Sequence, residues 1–224
     1  ALPISASRRA VESGRCEVVA ELSNAAYQWR FLAGMMGIPF IPARTLLGTD
    51  TLAHSSAKVI ECPFTGRPIT LIPSCNPDVV LIHVHRCDVY GNSQIDGISV
   101  EDFELARAAR RLIITTEEIV DTEVIREKPH LTTFPFYLVD AVVKVPYGSH
   151  PCLMPYMYYF DEDHIGEWLK MSKSEEGAKE YFDKYVFGVA GFDEYLAMQG
   201  GAERMEYLKK VEDMREPLKA PWIK

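Results

Sequence analysis

The chain has 224 residues, 47% hydrophobic and 25% charged, enough apolar material for one domain with a core. Its 32 acidic and 24 basic residues give a net charge of −8, and short basic clusters such as Arg8-Arg9 and Arg110-Arg111 form no stripe for a phosphate backbone, which excludes nucleic-acid binding. No apolar run reaches the length of a membrane span, and the five cysteines (Cys16, Cys62, Cys75, Cys87 and Cys152) form no CxxC pair, which argues against a disulfide framework and for a reducing, cytoplasmic setting.

The chain opens Ala1-Leu2-Pro3-Ile4, with no methionine and no secretory signal pattern, and reads as a fragment, a processed form or a chain whose beginning is missing. Residues 18–36 predict a helix, because Val18, Leu22, Ala25, Trp29, Leu32 and Met36 recur at spacings of three and four. Gly37 stops it, and Pro39 and Pro42 keep the next residues extended. Residues 43–68 hold Gly48, Pro63, Gly66 and Pro68 with little periodicity, and read as a long loop.

Val79–Val84 is an almost continuous apolar, β-branched run, the pattern of a strand covered on both faces as in parallel sheets. The turn Asp88-Val89-Tyr90-Gly91-Asn92 comes directly after it. A helix over 100–110 is expected behind Ser99, with Asp102 three residues on. A second strand over 112–115, a short helix over 120–127 and a third strand over 141–145 come next. From residue 161 the chain reads as helical, with Ser172 and Glu175 as a capping box. This order predicts an α/β fold with a mainly parallel sheet flanked by helices. It is read as a single domain over 1–224, with 161–215 as its helical C-terminal extension. A sheet of three or four strands leaves open edges, so a further segment or a partner should complete it.

Several residues have the chemistry for a site. His83 and His85, two apart on a strand, share a face near Cys87 and Asp88, but nothing nearby completes a ligand set, so they are read as packed structural histidines and no metal is expected. Glu12, among Arg8, Arg9 and Arg15, reads as a solvated charge rather than a nucleophile. The pairs Glu101-Asp102 and Glu117-Glu118 and the run Asp161-Glu162-Asp163 read as charges at helix starts. Tyr156, Tyr158, Tyr159 and Phe160 read as packing or interface surface. Ser23 and Asn24 lie off the apolar stripe of the first helix and offer neutral hydrogen bonds suited to a carboxylate or thioester oxygen, or are plain surface polarity.

An ordered set of segments resembles the α-type subunit of family I coenzyme-A transferases, the glutaconate CoA-transferase group. These are Ser7-Arg8-Arg9, Gly37–Pro42, Asn76–His83, Asp88–Asn92, Thr116–Val120, Val139–Val143 and Pro146–Pro151, in family order over roughly residues 4–210. The resemblance implies a NagB/RpiA-like fold and a family chain with a further strand–helix region ahead of this one. It implies a β-type partner subunit carrying the catalytic glutamate, so no catalytic residue is expected here. The substrates implied are an acyl-CoA and a carboxylic acid, with the coenzyme A thioester as substrate and no permanently bound cofactor. Ser23 and Asn24 fall where relatives contact substrate. Hydrolase relatives place a glutamate near the position of Asn24, and an asparagine there cannot act as a base, which favours transfer. A hydrolase or decarboxylase on the same fold, or a non-catalytic remnant that binds a partner, are the alternatives.

Overall fold

The structure is a computed structural model and describes residues 6–216. It divides into two compact units: Val18–Gly148, and the described residues of Ala1–Glu17 together with Ser149–Lys224.

In the first unit, β4 (Val80–Cys87), β6 (Leu112–Ile119) and β8 (Ala141–Lys144) run parallel. The short strands β5 (Ser93–Gln94) and β7 (Thr132–Phe134) extend this sheet antiparallel, in the order β7-β5-β4-β6-β8. The helix α3 (Asp102–Ala108) lies between β4 and β6 in sequence, and α4 (Thr122–Glu127) comes after β6. Val80, Ile82, Val84, Leu112 and Ile114 alternate onto one face and form a core with Ala106 and Phe134. The other face differs from expectation: Leu81 is 67% exposed and Val143 47%. Parallel strands read as continuous apolar runs because both faces are normally covered. Here the run is present, but that face is open at Leu81 and Val143, while His85 and Glu117 on it are buried.

A second sheet is antiparallel, in the order β1-β3-β2, formed by β1 (Phe40–Ala43), β2 (Lys58–Glu61) and β3 (Pro68–Pro73). Only β2 lies wholly within the segment 43–68 that reads as a loop, and β1 falls where Pro39 and Pro42 are expected to keep the chain extended. All four residues of β2 are exposed, so no buried alternation marks the strand in the sequence. The β2–β3 turn is closed by Cys62 N–H to Arg67 O and Gly66 N–H to Cys62 O, with Gly66 at φ +65°, a conformation that favours glycine.

The first long helix is also shorter than expected. α2 spans Asn24–Met35, and residues 18–23 are not helical. Val18 is 49% exposed and Met36 58%, whereas Ala26, Phe31 and Ala33 are the buried residues. The expected stripe is misphased, because its first two members belong to non-helical chain. The helix ends in a Schellman motif: Ile38 N–H bonds Ala33 O and Gly37 N–H bonds Gly34 O, with Gly37 at φ +68°.

The second unit holds α1 (Ala6–Glu12) and four helices of the C-terminal region: α5 (Glu162–Met171), α6 (Glu175–Phe182), α7 (Phe192–Met198) and α8 (Gly201–Glu212). A single π-helical turn, Asp183–Phe187, continues directly from α6. The capping residues shift by two from those expected. Ser174 caps α6, its hydroxyl accepting Gly177 N–H, while Ser172 closes α5.

Candidate functional site

Ser23 is the N-cap of α2, with extended backbone at φ −69° and ψ 158°. Its hydroxyl accepts the Ala26 N–H at 3.2 Å and shares a second hydrogen bond with the Thr45 hydroxyl at 2.9 Å. Thr45 lies just past β1, and its backbone oxygen accepts the buried Thr70 hydroxyl at 3.0 Å. The same hydroxyl reaches Ala43 O at 2.9 Å. Below this frame Ala26, Leu46 and Ile72 pack with Leu22, Ile41 and Leu52. The start of α2 is thus pinned to the small sheet by a hydroxyl pair and an apolar cluster.

Asn24 is the first helical residue and is exposed. The first turn of α2 carries no acidic side chain, whereas α3, α5, α6 and α8 each carry at least one. The positive end of the helix dipole is therefore uncompensated from within the turn, next to a neutral amide that can donate or accept. This arrangement can hold a carboxylate or a thioester oxygen and cannot move a proton at neutral pH.

The histidines of β4 take different roles. His83 Nδ1 lies 2.8 Å from the Thr115 hydroxyl, and Nε2 lies 2.8 Å from Glu117 Oε1. Glu117 Oε2 accepts the Tyr147 N–H at 2.6 Å. His85 Nδ1 accepts the Asp96 N–H at 3.0 Å. This corrects the reading of Glu117 and Glu118 as helix-start charges: both lie within β6, and Glu117 is 5% exposed, paired across the strand with His83. Only strand register brings residues 34 apart in sequence together. Among the described residues no group of three or more His, Cys, Asp or Glu side chains is placed to hold a metal ion.

The Asp88–Asn92 turn is a knot at the end of β4. The buried Asp88 carboxylate accepts the N–H groups of Tyr90 and Asn92 and the Asn92 side-chain amide, at 3.0, 2.9 and 2.8 Å. Asn92 Oδ1 takes the Phe136 N–H at 3.0 Å. Gly91 sits at φ +97°, where a Cβ would come within 2.9 Å of Val139. Glu12 makes an exposed pair with Arg8 at 2.7 Å, as a solvated charge would.

The coenzyme A transferase family model matches residues 5–145. The chain belongs to the coenzyme A transferase family. It is 34% identical to one subunit of the 3-oxoadipate CoA-transferase of Pseudomonas knackmussii, over 85% of this chain and 68% of that one. An uncharacterised protein of Archaeoglobus fulgidus is 62% identical over 97% of this chain, which spans only 48% of that relative's length. The crystal structure of glutaconate coenzyme A-transferase from Acidaminococcus fermentans superposes with a TM-score of 0.85 at 29% identity, over 90% of this chain and 68% of that one. The CoA-transferase fold expected from the sequence is thus the fold observed. No described helix is long and apolar enough to cross a membrane.

Proposed function

We propose that this chain is the α-type subunit of a heteromeric CoA-transferase. It moves coenzyme A between an acyl-CoA and a carboxylic acid of the glutaconate kind. The covalent step takes place on a β-type partner, whose glutamate attacks the thioester carbonyl and expels the CoA thiolate to leave a mixed anhydride; the thiolate then attacks the glutamyl carbonyl, forming a glutamyl-CoA thioester and releasing the acid. In this reading the two units form one α-type domain, and Ser23 and Asn24 at the start of α2 orient the acyl carboxylate or thioester oxygen. The only cofactor chemistry needed is that of the coenzyme A thioester, which is a substrate. A cytoplasmic setting accords with five cysteines that all carry free thiols.

The observation that carries this reading is the start of α2: a rigidly capped helix end, without a carboxylate in its first turn, presenting an exposed asparagine. It offers neutral hydrogen bonds and a favourable dipole for an anionic oxygen, and leaves nucleophilic attack to another chain. The test is to co-express this chain with a β-type partner and assay CoA transfer from glutaryl-CoA to acetate. Transfer that depends on both chains, with a borohydride-trapped adduct on the β-type glutamate, supports the proposal. An adduct on this chain overturns it.

A further inference from the structure

The second unit carries a solvent-open pocket of about 450 Å³ that the proposed reaction does not use. Pro151, Tyr185, Val189 and Phe192 form apolar walls, and His150, Tyr181 and Tyr195 supply polar atoms. A mostly apolar cavity of this size with a few converging polar groups is the common form of a small-molecule site. Tyr185 comes from the π-helical turn Asp183–Phe187, and such single turns recur at functional sites.

A continuous hydrogen-bond chain runs through the buried polar side. Arg204 grips the Asp161 carboxylate through Nε at 2.9 Å and Nη2 at 2.5 Å, and the His164 N–H adds a bond at 3.1 Å. Asp161 is therefore ionised and accepts the proton on His150 Nε2, at 3.2 Å. In the neutral imidazole Nδ1 is the acceptor, and the Tyr195 hydroxyl then donates to it at 2.8 Å. The oxygens of Tyr181 and Tyr195 lie 2.7 and 3.4 Å from His164 Nε2. His150 is 6% exposed and His164 3%, so this chain is shielded from bulk water.

Counting protons gives the ligand chemistry. Tyr195 has committed its proton to His150. A proton on His164 Nε2 satisfies the contacts to both tyrosine oxygens. Burial keeps His164 below its ordinary pKa and so neutral. With Nε2 donating, Tyr181 still has a proton to give and Tyr195 an oxygen lone pair to offer. A neutral hydroxyl accepts from one and donates to the other. A carboxylate has no proton for Tyr195, and Asp161 and Glu167 nearby repel it.

We propose that this cavity binds a small uncharged ring compound bearing a hydroxyl, a phenol or cyclic alcohol, with its ring between Tyr185 and Phe192 and its hydroxyl between Tyr181 and Tyr195. The probe is 2-naphthol, monitored by its fluorescence during titration into the full chain. Naphthalene and 2-naphthoate are the comparison ligands. Gly191 lines the cavity, has extended backbone, and an added Cβ there meets open space. Gly191→Leu therefore fills the cavity without touching the hydrogen-bond chain, and Val189→Phe is a second blocking variant. The expected result is one saturable site for 2-naphthol, weakened about tenfold or more in either blocking variant. Tyr181→Phe is expected to weaken 2-naphthol by about three- to tenfold and leave naphthalene unchanged. The proposal is overturned by no saturable binding, by equal affinity for 2-naphthoate, or by binding that survives a blocking variant whose circular dichroism matches the parent.

Discussion

At the residue scale, Ser23 and Asn24 are neighbours with different work. The Ser23 hydroxyl is occupied by Ala26 N–H and Thr45, so its first effect is on stability. Ser23→Ala removes an N-cap, which costs about 1 kcal/mol, and is expected to lower the thermal midpoint by about 2–4 °C. Asn24 is exposed and makes the cleaner functional test. A lost hydrogen bond to a charged oxygen costs about 1.5–3 kcal/mol, so Asn24→Ala should slow transfer about ten- to a hundredfold with the thermal midpoint unchanged. Steady-state kinetics on the co-expressed enzyme measure this, and unchanged kcat/KM would remove Asn24 from the site. Asn24→Glu places a carboxylate at the positive helix end and is expected to lower transfer and raise thioester hydrolysis, read as free coenzyme A released without acceptor.

Asp161 belongs to the same scale. Burial raises its pKa, but hydrogen bonds from His150, Arg204 and the His164 N–H outweigh burial and hold it well below the ordinary carboxylate range. The folded state thus binds the proton less readily than the unfolded chain, whose value is near 4. The resulting stabilisation is complete above that value and is lost as the pH falls through and below it. Asp161→Asn leaves Arg204 with Asp163, at 2.8 Å, as its carboxylate partner among the described residues, and is expected to cost about 3 kcal/mol. The stability difference between parent and variant, measured by urea unfolding, should be largest at neutral pH and shrink below about pH 4. A difference independent of pH would mean that the charge of Asp161 does not stabilise the fold.

At the element scale, α2 is fixed at both ends. Gly34 is where it comes closest to its neighbours: a Cβ there would lie 2.5 Å from Cys75 O, 2.9 Å from Asn76 Nδ2 and 3.0 Å from the Ala108 side chain. Two of these contacts cannot yield without moving backbone or α3. Alanine is ordinarily the better helix former, but here overpacking wins, and Gly34→Ala is expected to destabilise by about 1–3 kcal/mol. Urea unfolding checks it, and a stabilised variant would show that α2 can shift freely. Because α2 carries the candidate site at its other end, a smaller loss of transfer activity should accompany the loss of stability.

Element boundaries show where the sequence is legible. The parallel strands are readable because long β-branched runs such as Val79–Val84 have few other uses. The start of α2 is misplaced by periodicity because Val18 and Leu22 fit the helical spacing by coincidence, while the true cap, Ser23, looks like one more polar position. The small sheet escapes the pattern because Lys58–Glu61 buries nothing, and strand formation there rests on pairing with β3.

At the scale of the whole molecule, the open sheet face carries a prediction. Leu81 and Val143 expose apolar surface that parallel sheets normally cover, and the proposed β-type partner offers the covering. Expressed alone, the chain is expected to be inactive and poorly soluble, and co-expression with that partner should restore both properties. Hydrogen exchange in β4 and β8 should slow in the complex. A monodisperse, active single chain would refute this.

Strand runs were enough to determine an α/β chain, because strand periodicity is a local property of a sequence, and the ordered motifs carried the resemblance to the coenzyme A transferase family. The candidate residues Ser23 and Asn24 were also visible there, although not what holds them. Tertiary structure alone decided that Thr45 locks Ser23, that His83 meets Glu117 across the sheet, and that His150, Asp161 and Arg204 join into one buried chain. Each of these contacts links residues between 11 and 43 positions apart. No spacing rule relates such residues, since their meeting depends on strand register and helix packing, which exist only once the chain has folded.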